Sequence, residues 1–506
     1  MKKRLCLTVL LMLVALLFNA AQAAEMARIE IATVSQADNA LDFVTQPVAG
    51  HVSARIVTWT PGYVIPPEPW YEPCRITVFD EDGARLIDGA EAEVKVRGNW
   101  TTSYPKKPLR IRFGEAQSML GLNDGAEMKN WVLLAEYKDG SMLRNKAALA
   151  IAEGLLAPDG LYAADARLVE VTINGEYMGV YLLSEQQQVN ADRVNITKPE
   201  ADYQGTDIGY FLEFDDYYVN EGELNRFTVS YANNARLVPY DGNDGSGCKL
   251  AGTTRGFTIK SDIYSAKQRN FIADYVDNVY RVLYHAAYRD EAYVFNDACT
   301  RIKRTTEITP REAVERAINV DSLADMYLLN EVVCDADVYL TSFFMRADFG
   351  EGGDRRLTFE APWDFDSAMG NKNRCADAQG FYAANILFDV DDSFQSINPW
   401  LAVLMYEDWF QEIIAEKWTA AYDAGVFSRV LEMIGRDAEQ YSDAFARNYD
   451  KWDNLVHNEE FAHELSPMAA RCSTQQEAAA HLQWWLERRV DFLNAHWHTA
   501  NRSGVK

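Results

Sequence analysis

The chain has 506 residues, 48% hydrophobic and 25% charged, so apolar material for a globular core is ample and length alone allows roughly two to four domains. Its 75 acids against 49 bases give a formal net charge of −26, which repels nucleic acid and anionic membrane surfaces and attracts cationic substrates or divalent cations. Net charge names no substrate.

The start, Met1-Lys2-Lys3-Arg4, runs into an apolar stretch from Leu5 to Phe18, and Ala21-Gln22-Ala23 fits an A-x-A cleavage site. Residues 1–23 therefore read as a secretory signal peptide, too short to span a bilayer comfortably and without a polybasic stop after it. No later segment approaches the length of a membrane span, and the expectation is a secreted or extracytoplasmic protein without stable membrane insertion. Six of the seven cysteines follow the cleavage site, none in a C-x-x-C pair, so a zinc cluster is not expected. An oxidising compartment favours pairing of some of them, in an order the spacing does not choose.

Residues 24–90 read as β, with alternating runs at Arg55–Trp59 and Cys74–Phe79 and a turn at Asp80-Glu81-Asp82-Gly83. A strand ending at Arg97-Gly98-Asn99 follows, then Pro105-Lys106-Lys107-Pro108 and the alternating Leu109-Arg110-Ile111-Arg112-Phe113. Arg97, Lys106, Lys107, Arg110 and Arg112 reverse the chain's acidic character locally. They suit either a solvated strand face or an anion cradle built with the backbone N–H groups around Gly98.

Trp131–Leu134 is a short buried-type strand, and a helix is expected from Ser141, with Arg144 and Asn145 at its start. Leu168–Ile173, the Asn174-Gly175 turn and Met178–Leu183 form a hairpin ending near Glu185. Residues 198–260 read as an insertion holding strands at Tyr210–Phe214 and Gly256–Lys260. Helices are expected at about 265–290, 310–319 and 321–334, the last capped by Asp321 and followed by the acids Asp335 and Asp337. Glu136 and Asp139 read as exposed structural acids. After Pro399 the chain is helical, and Leu482, Trp485, Leu486, Val490, Leu493 and Trp497 make one apolar face suited to packing.

The stretch Leu357–Asn371 carries the clearest chemistry. An alternating strand, Leu357–Ala361, stops at Pro362, and Asp364 and Asp366 follow in i, i+2 spacing. In an extended segment both carboxylates face the same side and could share one hard cation; a solvated turn is the plainer alternative. The order of parts, from donor-rich strand–turn–strand through hairpin, helices and two acid loops, is that of a protein-kinase-like phosphotransferase, although G-x-G-x-x-G, H-R-D and D-F-G are absent.

Arg97-Gly98-Asn99-x-Thr101 with Lys106-Lys107, Trp131-Val-Leu-Leu, Arg144-Asn145, Gly179-Val-Tyr-Leu-Leu-x-Glu185, Asn330-Glu331, Asp337-x-Tyr339, Pro362-Trp363-Asp364-Phe365-Asp366 and Arg447-Asn448-x-x-Lys451-Trp452 together resemble the spore-coat CotH kinase family. The resemblance runs from about 91 to about 460, leaving 24–90 as an N-terminal β segment and 461–506 as a C-terminal helical extension. It implies an α+β, atypical protein-kinase-like fold with a β-rich N-terminal lobe and a largely helical C-terminal lobe. It also implies a kinase that uses ATP and Mg²⁺ or Mn²⁺ to phosphorylate Ser or Thr on exported Ser/Thr-rich proteins.

Carried over residue by residue, the resemblance places the catalytic base at Asp337 and the metal-holding carboxylate at Asp364, with Asp366 as a second ligand or its support. Asp335 competes with Asp337 for the base role. Ser342 stands five residues after Asp337, where ordinary kinases have a metal-binding Asn, and Asn371 is a substitute for it. Arg97, Lys106, Lys107 and Arg144 are the candidates for ATP phosphates, Lys107 first for the ion-paired lysine, and Glu185 for the adenine end. A non-catalytic exported surface or coat protein binding protein or glycan is the alternative, and a metal-dependent hydrolase a third.

Overall fold

A computed structural model of the chain describes residues 25–35, 71–98, 101, 104–238, 256–372, 376–385, 387–388, 395–455 and 464–502. The expected signal peptide, the run Arg55–Trp59, and Cys248 and Cys375 lie outside the described residues. Cys74, Cys299 and Cys472 are free. No described helix is long and apolar enough to cross a membrane.

The N-terminal part closes into a barrel of seven strands: β1 Arg28–Thr33, β2 Glu72–Phe79, β3 Arg85–Val96, β4 Leu109–Gln117, β5 Met128–Leu134, β6 Ala166–Ile173 and β7 Glu176–Glu185, in the order β1-β2-β3-β4-β5-β7-β6. Closure comes from β1, antiparallel to β2 on one side and parallel to β6 on the other. A barrel of this size is filled by side chains. Ile29, Ile76, Val94, Ile111, Trp131, Val171 and Leu183 fill it, each from the inward half of an alternating pattern. The segment expected as a separate β layer supplies β1 and β2, and β3 runs through residues 90 and 91 without a break. In the β6–β7 hairpin Asn174 and Gly175 have φ of 51° and 81°, the two left-handed positions of a type I′ turn. The Asn174 side chain also accepts from Thr33 N at 2.8 Å, fastening the end of β1.

The C-terminal part combines helices with a five-stranded sheet, so the chain is α+β. The sheet runs β14-β13-β8-β10-β9, from β8 Gly209–Asp215, β9 Arg226–Phe227, β10 Gly256–Ile259, β13 Phe343–Asp348 and β14 Thr358–Phe359. The two strands expected inside 198–260 exist, and β8 is central, paired to both β13 and β10. A separate hairpin joins β11 Ala292–Phe295 to β12 Ile302–Thr305.

The longer helices are α1 Arg144–Leu156, α2 Ala266–Arg289, α3 Pro310–Ala317, α4 Val320–Val333, α5 Asp408–Asp423, α6 Val426–Gln440, α7 Ser442–Lys451 and α8 Gln475–Trp497. Helix α4 is capped by Asn319 rather than by the expected Asp321, and almost every residue in it is buried. The six expected apolar positions of α8 are all buried.

Helix α7 locks the two parts together at Gly179, whose φ is 102° and where a Cβ would meet Asn448 Oδ1 at 2.4 Å and Trp452 Nε1 at 3.0 Å. Only glycine permits that approach. Asn448 Oδ1 then accepts from Val180 N at 3.1 Å, and Trp452 Nε1 donates to Met178 O at 2.8 Å.

Candidate active site

Helix α4 ends at Cys334, which takes a left-handed φ of 48° and turns the chain into Asp335–Tyr339. Asp335 is buried and its carboxylate accepts from Asp337 N at 3.1 Å, the geometry of an Asx turn. Burial, then the Asp337 carboxylate, pushes its carboxyl well above the ordinary range. Asp337, by contrast, keeps 22% of its side chain exposed. Of the two competing acids, Asp335 shapes the loop and Asp337 is the reachable one.

The second acid loop corrects the sequence reading. The strand before it is only Thr358–Phe359, because Ala361 turns left-handed at φ 60°, and Asp364 does so again at φ 72°. Asp364 and Asp366 are therefore not on one extended segment; a kinked loop brings their charges together. Left-handed non-glycine residues cost on the order of 1–3 kcal/mol and persist where their surroundings overdetermine them. Here Asn145, at the start of α1, is the determinant. Its Oδ1 accepts from Phe365 N at 2.7 Å, while its Nδ2 donates to both oxygens of Glu136 at 3.0 and 3.1 Å.

Burial, then the Asp366 and Asp337 carboxylates, raises the Asp364 carboxyl to about 7, against the opposing pull of Arg97 and Lys138. Arg97, at the end of β3, lies 5.5 Å from the Trp363 ring centroid and is drawn to Asp364. Arg97, a candidate for ATP phosphates, thus lies beside the acid loop.

Three side chains the sequence reading passed over connect the two loops. Lys372 Nζ lies 3.7 Å from Asp337 and 3.7 Å from Glu464; Lys138 Nζ lies 3.9 Å from Glu464 and 3.6 Å from Asp366. The result is a continuous alternation, Asp337–Lys372–Glu464–Lys138–Asp366. Burial pulls the Lys138 ammonium down, but Asp366, Tyr104, Glu464 and Asp337 more than offset it, so the lysine stays charged. Lys372 directly follows the acid loop and Lys138 lies within the Tyr137–Gly140 turn, positions that in sequence look like solvated turn residues. Glu464 reaches the site because Ser466 N donates to Asn371 O at 2.7 Å, a contact with no local sequence signal. Asn371 itself donates to Asp366 O at 2.7 Å and Lys138 O at 3.2 Å, so its amide ties the loop.

Other candidates are placed elsewhere. Lys106 is buried, its ammonium donating to Val180 O and, at 2.9 Å, to Asn448 Oδ1, below the Tyr181 ring. Burial lowers its pKa well below the lysine range. Arg144 is buried in an ion pair with Asp139, whose carboxylate also accepts from Leu143 N and Arg144 N at 3.0 and 2.8 Å and so caps α1. Glu185 is buried against Arg193 at 3.0 Å and also accepts from Asn123 and Asp165. Lys107 is half-buried before β4. Glu136 and Asp139, expected to be exposed, are buried because one anchors Asn145 and the other caps α1. Ser342 N donates to Glu213 Oε1 at 3.3 Å, and Thr341 Oγ1 donates to Glu213 and Asp215 at 3.2 Å each, so the segment after Asp337 rests on β8.

A family model described as CotH kinase protein matches residues 94–493. The chain belongs to the CotH kinase family. No curated protein matches it. The CotH match runs past residue 460 and takes in most of α8, whose Arg489 pairs with Glu331 of the Asn330-Glu331 motif at 2.5 Å. Its first matched residue, Val94, lies within barrel strand β3.

Among the described residues, no group of three or more His, Cys, Asp or Glu side chains is gathered to hold a metal ion. Mg²⁺ takes one or two carboxylates and fills its shell with phosphate oxygens and water, and the mutually repelling pair Asp364 and Asp366 fits that habit.

Proposed function

We propose that this chain is an exported, divalent-metal-dependent protein kinase that transfers the γ-phosphate of ATP to Ser or Thr of secreted or surface proteins. The observation that carries the reading is the convergence of Asp337 and Asp364 from two loops on one partly open site, faced by Arg97, in a CotH family chain. Asp364, supported by Asp366, would hold the cation, which when bound neutralises phosphate charge. Asp337 accepts the proton of the attacking hydroxyl, for which its partial exposure suits it. The buried Asp335 holds the Asp337 backbone, and Asn145 holds the Asp364 loop. Arg97 adds positive charge where phosphate oxygens would lie.

The test is label transfer from γ-labelled ATP to a Ser-rich acceptor with Mg²⁺ or Mn²⁺. Transfer is expected from the natural chain and not from Asp337→Asn or Asp364→Asn. Equal transfer by Asp337→Asn, or none by any form, would sink the reading.

A further inference from the structure

The four contacts in the alternation Asp337–Lys372–Glu464–Lys138–Asp366 span 3.6 to 3.9 Å. Charge-assisted hydrogen bonds close to about 2.7–2.9 Å. Each ammonium is therefore shared between two carboxylates and fully committed to neither. Among the described residues, the one hydrogen bond of either ammonium runs from Lys138 to Ser367 Oγ at 2.5 Å, a neutral partner. Glu464 is the exception among the three acids in origin. Asp337 and Asp366 belong to the two acid loops, whereas Glu464 enters from the far C-terminal part, held by backbone pairing of Leu465 with Lys372 and by Ser466 on Gly370 and Asn371. Its side chain is 14% exposed, so the position is reachable. Lys138, Asn371 and Leu465 also border a small cleft.

We infer that Lys138 and Lys372 form a subsite for a diphosphate group, and that the Glu464 carboxylate stands in it as a competing internal anion. This deepens the kinase reading, on which the identity of the diphosphate as part of ATP rests; the subsite itself rests on the lysine geometry. Two ammoniums bracketing one carboxylate present the charge and spacing that bridging phosphate oxygens require. A bound diphosphate replaces Glu464 between the lysines while Asp337 and Asp366 stay on their outer sides. The lysines identified here take the place of Lys106 and Arg144, whose donors are used inside the fold.

Isothermal titration with sodium pyrophosphate and with ATP, both with Mg²⁺, tests the inference on the full chain. Glu464→Gln keeps shape and removes the competing charge, and should tighten pyrophosphate about 5–10-fold; Lys138→Gln and Lys372→Gln should each weaken it about 10-fold. Circular dichroism and melting curves establish that each variant is folded, and Lys372→Gln, whose lysine is the more exposed, serves if Lys138→Gln does not fold. Unchanged affinities across the folded variants overturn the subsite, as does absence of pyrophosphate binding by both the natural chain and Glu464→Gln. If pyrophosphate affinities move as expected and no phosphate is transferred from ATP, the subsite stands and the kinase reading falls.

Discussion

Glu331 and Arg489 meet with both side chains at 0% exposure, the guanidinium donating to the carboxylate at 2.5 Å and to Glu331 O at 2.8 Å, while Tyr382 N and Ala383 N also donate to the acid. The Asp337-to-Asp366 alternation starts just beyond the end of the same helix α4, yet its contacts are looser and its members other than the buried Lys138 are partly open. One system is closed on itself and fastens α8 to α4. In the other, two ammoniums are shared among three carboxylates at 3.6 to 3.9 Å, a looser arrangement. Burial and hydrogen-bond completeness, rather than the presence of ion pairs, separate structural acids from candidate catalytic ones here.

The sharpest way to break that comparison is to remove charge from each side. Asp364→Asn should lower phosphate transfer by about 10²–10⁴-fold, with a melting temperature equal to or above that of the natural chain, since it relieves repulsion with Asp366. Arg489→Met should do the reverse, costing about 3–5 kcal/mol in denaturant unfolding by leaving Glu331 buried and unpaired. If the two variants gave the same profile, the division would not hold.

Asn145→Ala lies between these cases. It strips Glu136 of its donor and releases Phe365 N, so stability should fall by about 1–3 kcal/mol and transfer should fall as well, because the Asp364 loop loses its anchor.

The last effect is absent at neutral pH and appears only in acid. Burial, then the Arg144 guanidinium, lowers the His481 pKa to about 4 from the ordinary 6.5. The folded state therefore binds fewer protons than the unfolded chain between those values. Stability should fall as pH drops from 6.5 to 4, by up to about one proton's worth of linkage. His481→Phe should flatten that part of a stability–pH curve without changing the transfer assay at neutral pH.

Much of the local structure was legible. The Asn174-Gly175 hairpin, the Leu109–Phe113 strand and the apolar face of α8 follow from short-range spacing and turn chemistry, and each is present. The acid residues were legible for a similar reason: Asp337 and Asp364 stand at ends of recognisable elements. Geometry was less so. Two left-handed residues broke the expected extended strand, because the Asn145 hydrogen bond from a distant helix outweighs local preference there. Among the cations, Arg97 lies beside the Asp364 loop, while Lys106 and Arg144 looked equally suitable in sequence and lie buried against Asn448 and Asp139.

The sequence alone determined the Asn174-Gly175 hairpin, the Leu109–Phe113 strand and the main helices, and made Asp337 and Asp364 candidates, because those depend on side-chain periodicity and on neighbours a few residues away. Only the tertiary structure decided that β1 and β2 close the barrel, that Glu464 sits between Lys138 and Lys372, and that Arg144 is used up in capping a helix. Those outcomes depend on which charges burial brings within reach of one another, and the strength of that coupling is set by distance in space rather than along the chain.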